Sequence, residues 1–295
     1  MAPAPVLCIG SALWDIIASA SAPMQRGGDI AGEIRRQMGG VALNVALALV
    51  RQGQPAVLLS AIGNGPEGDA LIEALECEGV DCRFIYRSDD PTDSYLAIEN
   101  PDGGIFGAIA DCASLELADE KIFAPLLDGR LGSPATPWPY RVVVDGNLPA
   151  ALMAGLPGRV EFSDCQLNIV PASPGKADRL RAALAGGGVT LYVNLGEAEI
   201  LCQTRLEDSK AAAQALLALG AERAIVTNGD QTVCFSDGAT TIALTPPKAA
   251  AHSTTGAGDV FMAAHIAAGG AGATAESRLQ TALEAAASHI TRKIT

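Results

Sequence analysis

The sequence predicts an α/β protein with a doubly wound, mostly parallel sheet flanked by helices, and with a small β-sheet lid. Two observations support this fold class. Short apolar runs typical of buried parallel strands alternate with longer segments of helical periodicity. Two regions, 16–37 and 83–111, interrupt this alternation with strand-like polarity and many turn residues. A chain of 295 residues is compatible with one large domain, and we assign 1–295 to it.

The strands and helices follow from the apolar pattern in chain order. The apolar runs predicted as buried strands lie at 6–9, 57–62, 141–144, 167–170, 190–193 and 224–227. The segments predicted as helices lie at 41–52, 67–78, 175–185, 209–219, 257–268 and 276–292. Alternation of this kind is typical of a sheet with helices on both faces.

Regions 16–37 and 83–111 are predicted to form one antiparallel accessory sheet. In an α/β enzyme, a small sheet of this sort covers the crevice beyond the carboxyl ends of the strands and excludes water during the reaction. The alternative is that the two regions are ordinary surface excursions. The lid prediction therefore depends on the two regions pairing with each other.

Charge and cysteine usage restrict the function. The formal net charge of −13 disfavours nucleic acid polymers and anionic membranes as partners. A small nucleotide remains compatible, because the N–H groups of a helix start hold phosphate locally. The seven cysteines are scattered, with no Cys-x-x-Cys pair, which is typical of a reduced compartment. No signal peptide or membrane span is predicted, so we expect a cytoplasmic protein.

A segment at 253–259, S-T-T-G-A-G-D, opens directly into an apolar helix. Glycines let a phosphate approach the backbone, and the first N–H groups of a helix have no intrahelical partner. The N–H groups of Gly256, Ala257, Gly258 and Asp259 therefore predict a site that stabilises a transferring phosphoryl group. The Asp259 carboxylate is either a helix cap or the base that takes a proton from an attacking hydroxyl.

This segment resembles the late signature D-T-x-G-A-G-D of the ribokinase-like (pfkB) carbohydrate kinases. The segment G-G-V-A-L-N at 39–44 is similar to their early signature, and the two stand in the expected order. The resemblance covers nearly the whole chain and implies a ribokinase-like fold, with ATP as phosphoryl donor and Asp259 as general base. Ser253 stands where the family usually has an acid, which leaves a potassium requirement open.

The resemblance also implies nucleotide and metal contacts. Asn194 and Glu197 match the family's Asn-x-x-Glu motif, in which Glu197 organises hydrated Mg²⁺ near the phosphates. The same pattern is typical of a capping box at a helix start. Thr227 and Gly229 match a loop that faces the ATP phosphates, although Thr232 stands in place of its second glycine. An ordinary β-turn is the alternative for this loop.

The family holds a sugar or nucleoside at positions that correspond here to Asp15, Gly39, Gly40 and Asn44. Carboxylate and amide groups suit this task because they bind the paired hydroxyls of a ribose. Asp15 as a surface turn residue is the alternative. The resemblance thus implies a small-molecule substrate in front of Asp259.

Segments 99–111 and 168–176 are similar to those of pseudouridine kinases. They imply phosphorylation of the 5′-hydroxyl of pseudouridine, with Asp111 as a lid contact to the nucleoside. Lys176 is either a further substrate contact or a lysine on a helix surface. The family also implies a homodimer that pairs through the lid.

Other activities remain open at this point. One is another ribokinase-like kinase, acting on ribose, fructose, a sugar phosphate or adenosine, although few basic residues near the lid weigh against a phosphorylated sugar. A kinase-like binding protein without turnover is the alternative from a different class. A dinucleotide-binding oxidoreductase is disfavoured, because no G-x-G-x-x-G follows the first strand.

Overall fold

The computed structural model describes residues 3–101, 104–250 and 254–291. Its strands are, in chain order, β1 (Val6–Ile9), β2 (Leu13–Ala20), β3 (Gly32–Gly39), β4 (Ala56–Leu59), β5 (Ala61–Gly63), β6 (Tyr86–Ser88), β7 (Ser94–Glu99), β8 (Ile105–Asp111), β9 (Val142–Asp145), β10 (Leu167–Val170), β11 (Val189–Asn194), β12 (Arg223–Thr227), β13 (Val233–Ser236) and β14 (Thr241–Leu244). Its α-helices are α1 (Val41–Arg51), α2 (Pro66–Cys77), α3 (Ser114–Ala118), α4 (Ala124–Leu127), α5 (Ala150–Gly155), α6 (Arg181–Leu184), α7 (Leu195–Cys202), α8 (Ser209–Ala218), α9 (Ala257–Gly270) and α10 (Ala275–Ile290).

The central sheet has eight strands in the order β14-β13-β12-β11-β10-β9-β1-β4. The six strands from β12 to β4 in this order are parallel, and β13 and β14 add antiparallel strands at one edge. Helices α1, α2, α9 and α10 pack on one face, and α3 to α8 pack on the other. Since both faces are covered, the strands are apolar throughout. The predicted doubly wound, mostly parallel sheet flanked by helices is confirmed.

The lid is a four-stranded sheet in the order β3-β2-β7-β8. The two predicted regions do pair, but the sheet is mixed rather than antiparallel, because β2 and β7 run parallel. The reason is the path of the chain, which passes through α1, β4, β5 and α2 between the two halves of the lid. Both β2 and β7 therefore leave the central sheet in the same direction. The lid starts at Leu13, and β6 pairs with β5 outside it.

Two predicted elements are divided in the structure. The run at 57–62 is split at Ser60 into β4, in the central sheet, and β5, in the pair with β6. The helix predicted at 175–185 is a 3₁₀ helix over Pro174–Leu180 followed by α6. Ala177 and Leu180 are buried, and their spacing of three places them on one side of a 3₁₀ helix.

Two further features concern the helices and the cysteines. Within the described ranges, no helix is long and apolar enough to cross a membrane. All seven cysteines are free thiols.

Candidate active site

The carboxyl ends of the parallel strands bring the predicted segments to one edge of the central sheet. Asn194 and Thr227 are neighbours in register at the ends of β11 and β12. Helices α1, α7 and α9 all begin at this edge, after β3, β11 and the loop that follows β14. A crevice beyond the strand ends is where open α/β sheets bind their ligands.

The start of α9 has an open approach to its backbone. Gly256 is the N-cap residue and has a φ of 74°, in the left-handed region that favours glycine. The N–H of Ala257 donates to the carbonyl of Thr254 at 3.2 Å. Gly258 is exposed, and a Cβ there would meet no atom of another segment within 4 Å, so the side of this turn that carries Gly258 is open. Ser253, the altered first residue of the signature, lies outside the described residues.

Asp259 lies half-buried in the first turn of α9. Its Oδ2 accepts a hydrogen bond from Asn44 Nδ2 at 3.1 Å. Desolvation raises the pKa of Asp259 to about 7, the Asn44 bond opposes this rise, and the charges of Asp145 and Glu197 add to it. A pKa close to neutrality suits a general base, because a substantial fraction of the group is unprotonated at physiological pH while its basicity is high enough to take a proton.

Asn194 and Glu197 form a full capping box at the start of α7. Glu197 N donates to Asn194 Oδ1, and Asn194 N donates to Glu197 Oε2, both at 2.9 Å. The structural alternative is therefore present, and it leaves Glu197 Oε1 without a hydrogen bond from the described residues. Desolvation raises the pKa of Glu197. A bound cation would offset the cost of that partly desolvated charge.

The donor set fits Mg²⁺ held mainly by phosphates and water. Across the described ranges, no group of three or more His, Cys, Asp or Glu side chains is placed to hold a metal ion. Mg²⁺ in kinases is typically held by one or two carboxylates plus substrate phosphates and retained waters. Glu197 beside the start of α9 fits that mode of binding.

The loop after β12 combines a turn with an open glycine. Gln231 N donates to Asn228 O at 2.8 Å, so the β-turn alternative is also present. Gly229 has a φ of 58°, and a Cβ there would meet nothing within 4 Å. Thr227 Oγ1 makes a long contact of 3.5 Å with Val193 O. The loop leaves its backbone accessible to a ligand.

Asp15, Gly39 and Gly40 meet where the lid joins the central sheet. Asp15, on β2, is half-buried, and desolvation raises its pKa to about 6. A Cβ on Gly39 would lie 2.3 Å from Asp15 Cγ. Gly40 has a φ of 103°, and a Cβ there would lie 2.5 Å from Ser11 O. Both glycines therefore have a steric reason to be glycine.

The register of the lid separates Asp111 from Asp15. Asp111 lies opposite Ser94, which lies opposite Trp14, whereas Asp15 lies opposite Tyr95. Because side chains alternate between the faces of a strand, Asp111 belongs to the face that carries Trp14. Asp111 is exposed. Its role as a substrate contact stays a prediction, and the structure does not place it on the same face as Asp15.

Sequence reasoning missed Asp145, at the end of β9. This residue is fully buried. Its Oδ2 accepts hydrogen bonds from Ser11 N at 2.9 Å, Ser11 Oγ at 2.7 Å and Ala42 N at 3.0 Å. The available signal was an acid that directly follows three valines at the end of a buried strand. Such a carboxylate needs partners once it is buried.

Lys176 reaches into the site from its 3₁₀ helix. Its Nζ donates to Asn147 Oδ1 at 2.6 Å, and Asn147 Nδ2 donates to Ser11 Oγ at 2.8 Å. Desolvation raises the pKa of the Cys112 thiol to about 11, the Lys176 charge opposes this rise, and the charge of Asp15 adds to it. Lys176 and Asp15 thus lie within electrostatic reach of the same thiol at the base of the lid.

Comparison with known families shows to which protein family this chain belongs. The profile of the pfkB family carbohydrate kinases matches residues 4–295. The chain belongs to the pfkB family of carbohydrate kinases. Membership of this pfkB family supports an ATP-dependent kinase that acts on a small molecule. A search of curated protein sequences gives no significant match.

Solved structures of a carbohydrate kinase and of ribokinases are similar to this chain over almost its whole length. A carbohydrate kinase from Agrobacterium tumefaciens has 26% identity and a TM-score of 0.79, with 96% of this chain and 89% of that chain covered. Ribokinase from Thermotoga maritima has 22% identity and a TM-score of 0.80, with 98% and 93% covered. Arabidopsis thaliana ribokinase, solved with ribose and ATP, has 20% identity and a TM-score of 0.78, with 99% and 94% covered.

Proposed function

We propose that this pfkB-family protein is an ATP-dependent nucleoside kinase that phosphorylates the 5′-hydroxyl of pseudouridine. The observation that carries the kinase chemistry is the position of Asp259, whose carboxylate stands in the first turn of α9 with a pKa near 7. A base at this place accepts the hydroxyl proton beside the N–H groups that stabilise the phosphoryl group.

The remaining site residues have complementary tasks. Bound ATP supplies the phosphoryl group, and Mg²⁺ supplies positive charge on its phosphates. Gly256, Ala257 and Gly258 present the start of α9, while Glu197 and Asn194 stand where a hydrated Mg²⁺ would be held. Thr227 and Gly229 line the phosphate side. Positioning and charge stabilisation account for most of the rate enhancement in reactions of this type.

The substrate side is formed by Asp15, Gly39, Gly40 and Asn44, and the lid closes over it. Asp15 and Asn44 offer the acceptor and donor groups that bind paired hydroxyls of a ribose. Asn44 also bonds Asp259, so it lies next to the reacting hydroxyl. Exclusion of water by the lid prevents hydrolysis of ATP.

The preference for a nucleoside over a free sugar is supported by Lys176. Its ammonium donates to one neutral amide oxygen, that of Asn147, and an ammonium has three N–H donors. The other two donors have no hydrogen-bond partner among the described residues and are available to a ligand at the rim of the site. The carbonyl oxygens of a pyrimidine base are acceptors that a free ribose lacks.

A substrate screen tests this proposal. Coupled ADP formation is measured with pseudouridine, uridine, adenosine, ribose and fructose, with and without potassium. Pseudouridine is expected to give the highest kcat/KM. A preference for ribose or fructose would contradict the nucleoside assignment, and absence of any ATP-dependent product would favour a binding protein without turnover.

The same screen with Lys176→Met tests the base contact. Loss of a charged hydrogen bond is expected to lower kcat/KM for the nucleoside roughly 10- to 100-fold, while residual turnover of ribose is unchanged. Lys210→Met is the matched control, because Lys210 is exposed on α8. An equal loss with nucleoside and ribose would contradict a contact to the base.

The homodimer is also part of the proposal, and it is supported by an apolar face of the lid. Register places Ile16, Leu96 and Ile109 side by side on this face. Ile34 and Ile109 remain 74% and 69% exposed, which is unusual for large apolar side chains on a sheet. A second lid of the same kind would cover them.

Light scattering tests this prediction by measuring the molecular mass of the protein in solution. The wild-type protein is expected to have the mass of a dimer, and Ile109→Asp to have the mass of a monomer, because a buried carboxylate would oppose the contact. Val160→Asp is the control, since Val160 is an exposed apolar residue outside the lid. A monomeric wild type would exclude the lid dimer.

A further inference from the structure

The start of α1 differs from that of α9, because its first three N–H groups are bonded to residues of distant segments. Val41 N donates to Ser11 Oγ at 3.0 Å, Ala42 N to Asp145 Oδ2 at 3.0 Å and Leu43 N to Ser11 O at 3.2 Å. Three of the N–H groups that lack intrahelical partners are thereby satisfied. The end of α1 that faces the site is therefore attached to the loop after β1 and to the end of β9.

Asp145 is held as firmly as the helix that it binds. In addition to the bonds to Ser11, its Oδ1 accepts from Asn147 N at 2.8 Å. A Cβ on Gly10 would lie 2.3 Å from Asp145 Cγ, so only glycine leaves room for the carboxylate. Hydrogen bonds to an ionised acceptor are shorter and stronger than neutral ones. Ser11 and Asp145 together form a buried clamp on α1.

The clamp acts on the reaction through Asn44. Asn44 lies within the first turn of α1, and its Nδ2 is the group that bonds Asp259 Oδ2. An α-helix is rigid over a single turn, so the position of Ala42 determines the position of Asn44. Small displacements of a positioned group have large effects on rate.

We propose that Ser11 and Asp145 are positioning residues, which hold α1 so that Asn44 keeps its hydrogen bond to the base Asp259. Neither residue needs to touch the substrate for this role. The inference rests on the proposed function in so far as Asp259 is the base. A merely structural role would contribute to stability alone, whereas a positioning role also controls the protonation of Asp259.

Ser11→Ala is the main test. It removes the hydroxyl that bonds Val41 and Asp145. It leaves in place the charges of Asp145 and Glu197, which act on Asp259, and the ring of His289, which contacts Thr255 O before α9. Ser60→Ala is the matched control, because Ser60 is equally buried beyond the end of β4. Its hydroxyl has no hydrogen-bond partner among the described residues.

In Ser11→Ala, kcat is expected to fall roughly 10- to 100-fold. The Asn44 bond lowers the pKa of Asp259, so its loss should move the acidic midpoint of the kcat/KM profile to higher pH. Asn44→Leu should move the midpoint in the same direction, and the double variant should move it no further. Amide hydrogen exchange at Val41 and Ala42 should be faster than in wild type, and Ser60→Ala should match wild type throughout.

Two results would overturn the inference. One is a loss of activity in Ser11→Ala with an unchanged midpoint, which indicates a structural role only. The other is unchanged exchange at Val41 and Ala42. If Ser11→Ala does not fold, Asp145→Asn replaces it, because this variant keeps the shape of the side chain and one acceptor oxygen. Wild-type amide exchange at Ala42 in Asp145→Asn would also overturn the inference. Turnover by Asp259→Asn would refute the proposed base, yet the exchange measurement would still test the clamp.

Discussion

Asp259→Asn is expected to bind ATP normally and to lose about 10²- to 10⁴-fold in kcat. The amide keeps the size of the side chain and the acceptor oxygen that bonds Asn44, but it cannot take the hydroxyl proton. Phosphoryl transfer is measured by ADP formation with the proposed substrate pseudouridine, and ATP binding by calorimetry. Asp128→Asn is the control, because it removes an equal charge from an exposed pair with Arg130.

The pH dependence of the wild-type enzyme provides a second readout of the same prediction. Desolvation raises the pKa of Asp259 from its ordinary value of 3.8 to about 7. The base must be unprotonated, so kcat/KM is expected to decline as the pH falls through about 7. Near-normal turnover in Asp259→Asn, or a wild-type profile that stays flat down to pH values near the ordinary pKa of Asp, would contradict the mechanism.

Gly40→Ala is expected to unfold the region on which both substrate and base depend. At a φ of 103° an alanine is strained, and its Cβ would lie 2.5 Å from Ser11 O and 2.7 Å from Ser11 C. These are backbone atoms of the clamp, so relief requires α1 to move. Urea denaturation should show a lower free energy of unfolding, and turnover should fall below detection.

Gly53→Ala separates backbone strain from steric overlap. Gly53 has a φ of 75°, but a Cβ there would meet nothing within 4 Å. In Gly53→Ala, the strain of a left-handed alanine should therefore be the only cost, and it should lower the free energy of unfolding by about 1–2 kcal/mol. In Gly40→Ala, the free energy of unfolding should fall by about 1–3 kcal/mol more, which is the usual cost of overpacking. Equal losses in the two variants would show that the approach of Gly40 to Ser11 is unimportant.

The local chemistry of the chain is sufficient to predict the position of Asp259. Apolar periodicity places β1 and α1 within a residue of their observed bounds, and it places the start of α9 at Ala257. One segment then predicts the phosphate site and the adjacent acid, because its glycines are suitably spaced and the N–H groups of a helix start have no intrahelical partners. These features depend on residues that are neighbours in sequence.

Contacts between segments that are distant in sequence cannot be predicted from such local patterns. Asp145 meets Ser11 and Ala42 across more than a hundred residues, and a single acid after three valines does not reveal its partners. The mixed lid depends on the direction in which β7 returns from the central sheet. The face of Asp111 depends on register, since a shift of one residue moves every side chain to the other face.

The nucleotide side of the site shows what sequence alone predicts and what only the tertiary structure decides. The pattern from Asn194 to Glu197 indicates a capping box and a metal contact equally well, and the folded chain forms the box while leaving Glu197 Oε1 free of hydrogen bonds from the described residues. Residues 253–259 alone were enough to predict a phosphate site with an acid in it. That the acid is bonded by Asn44, on a helix anchored by Ser11 and Asp145, is a consequence of tertiary packing, because only the assembled sheet brings the ends of β1, β9 and β11 together.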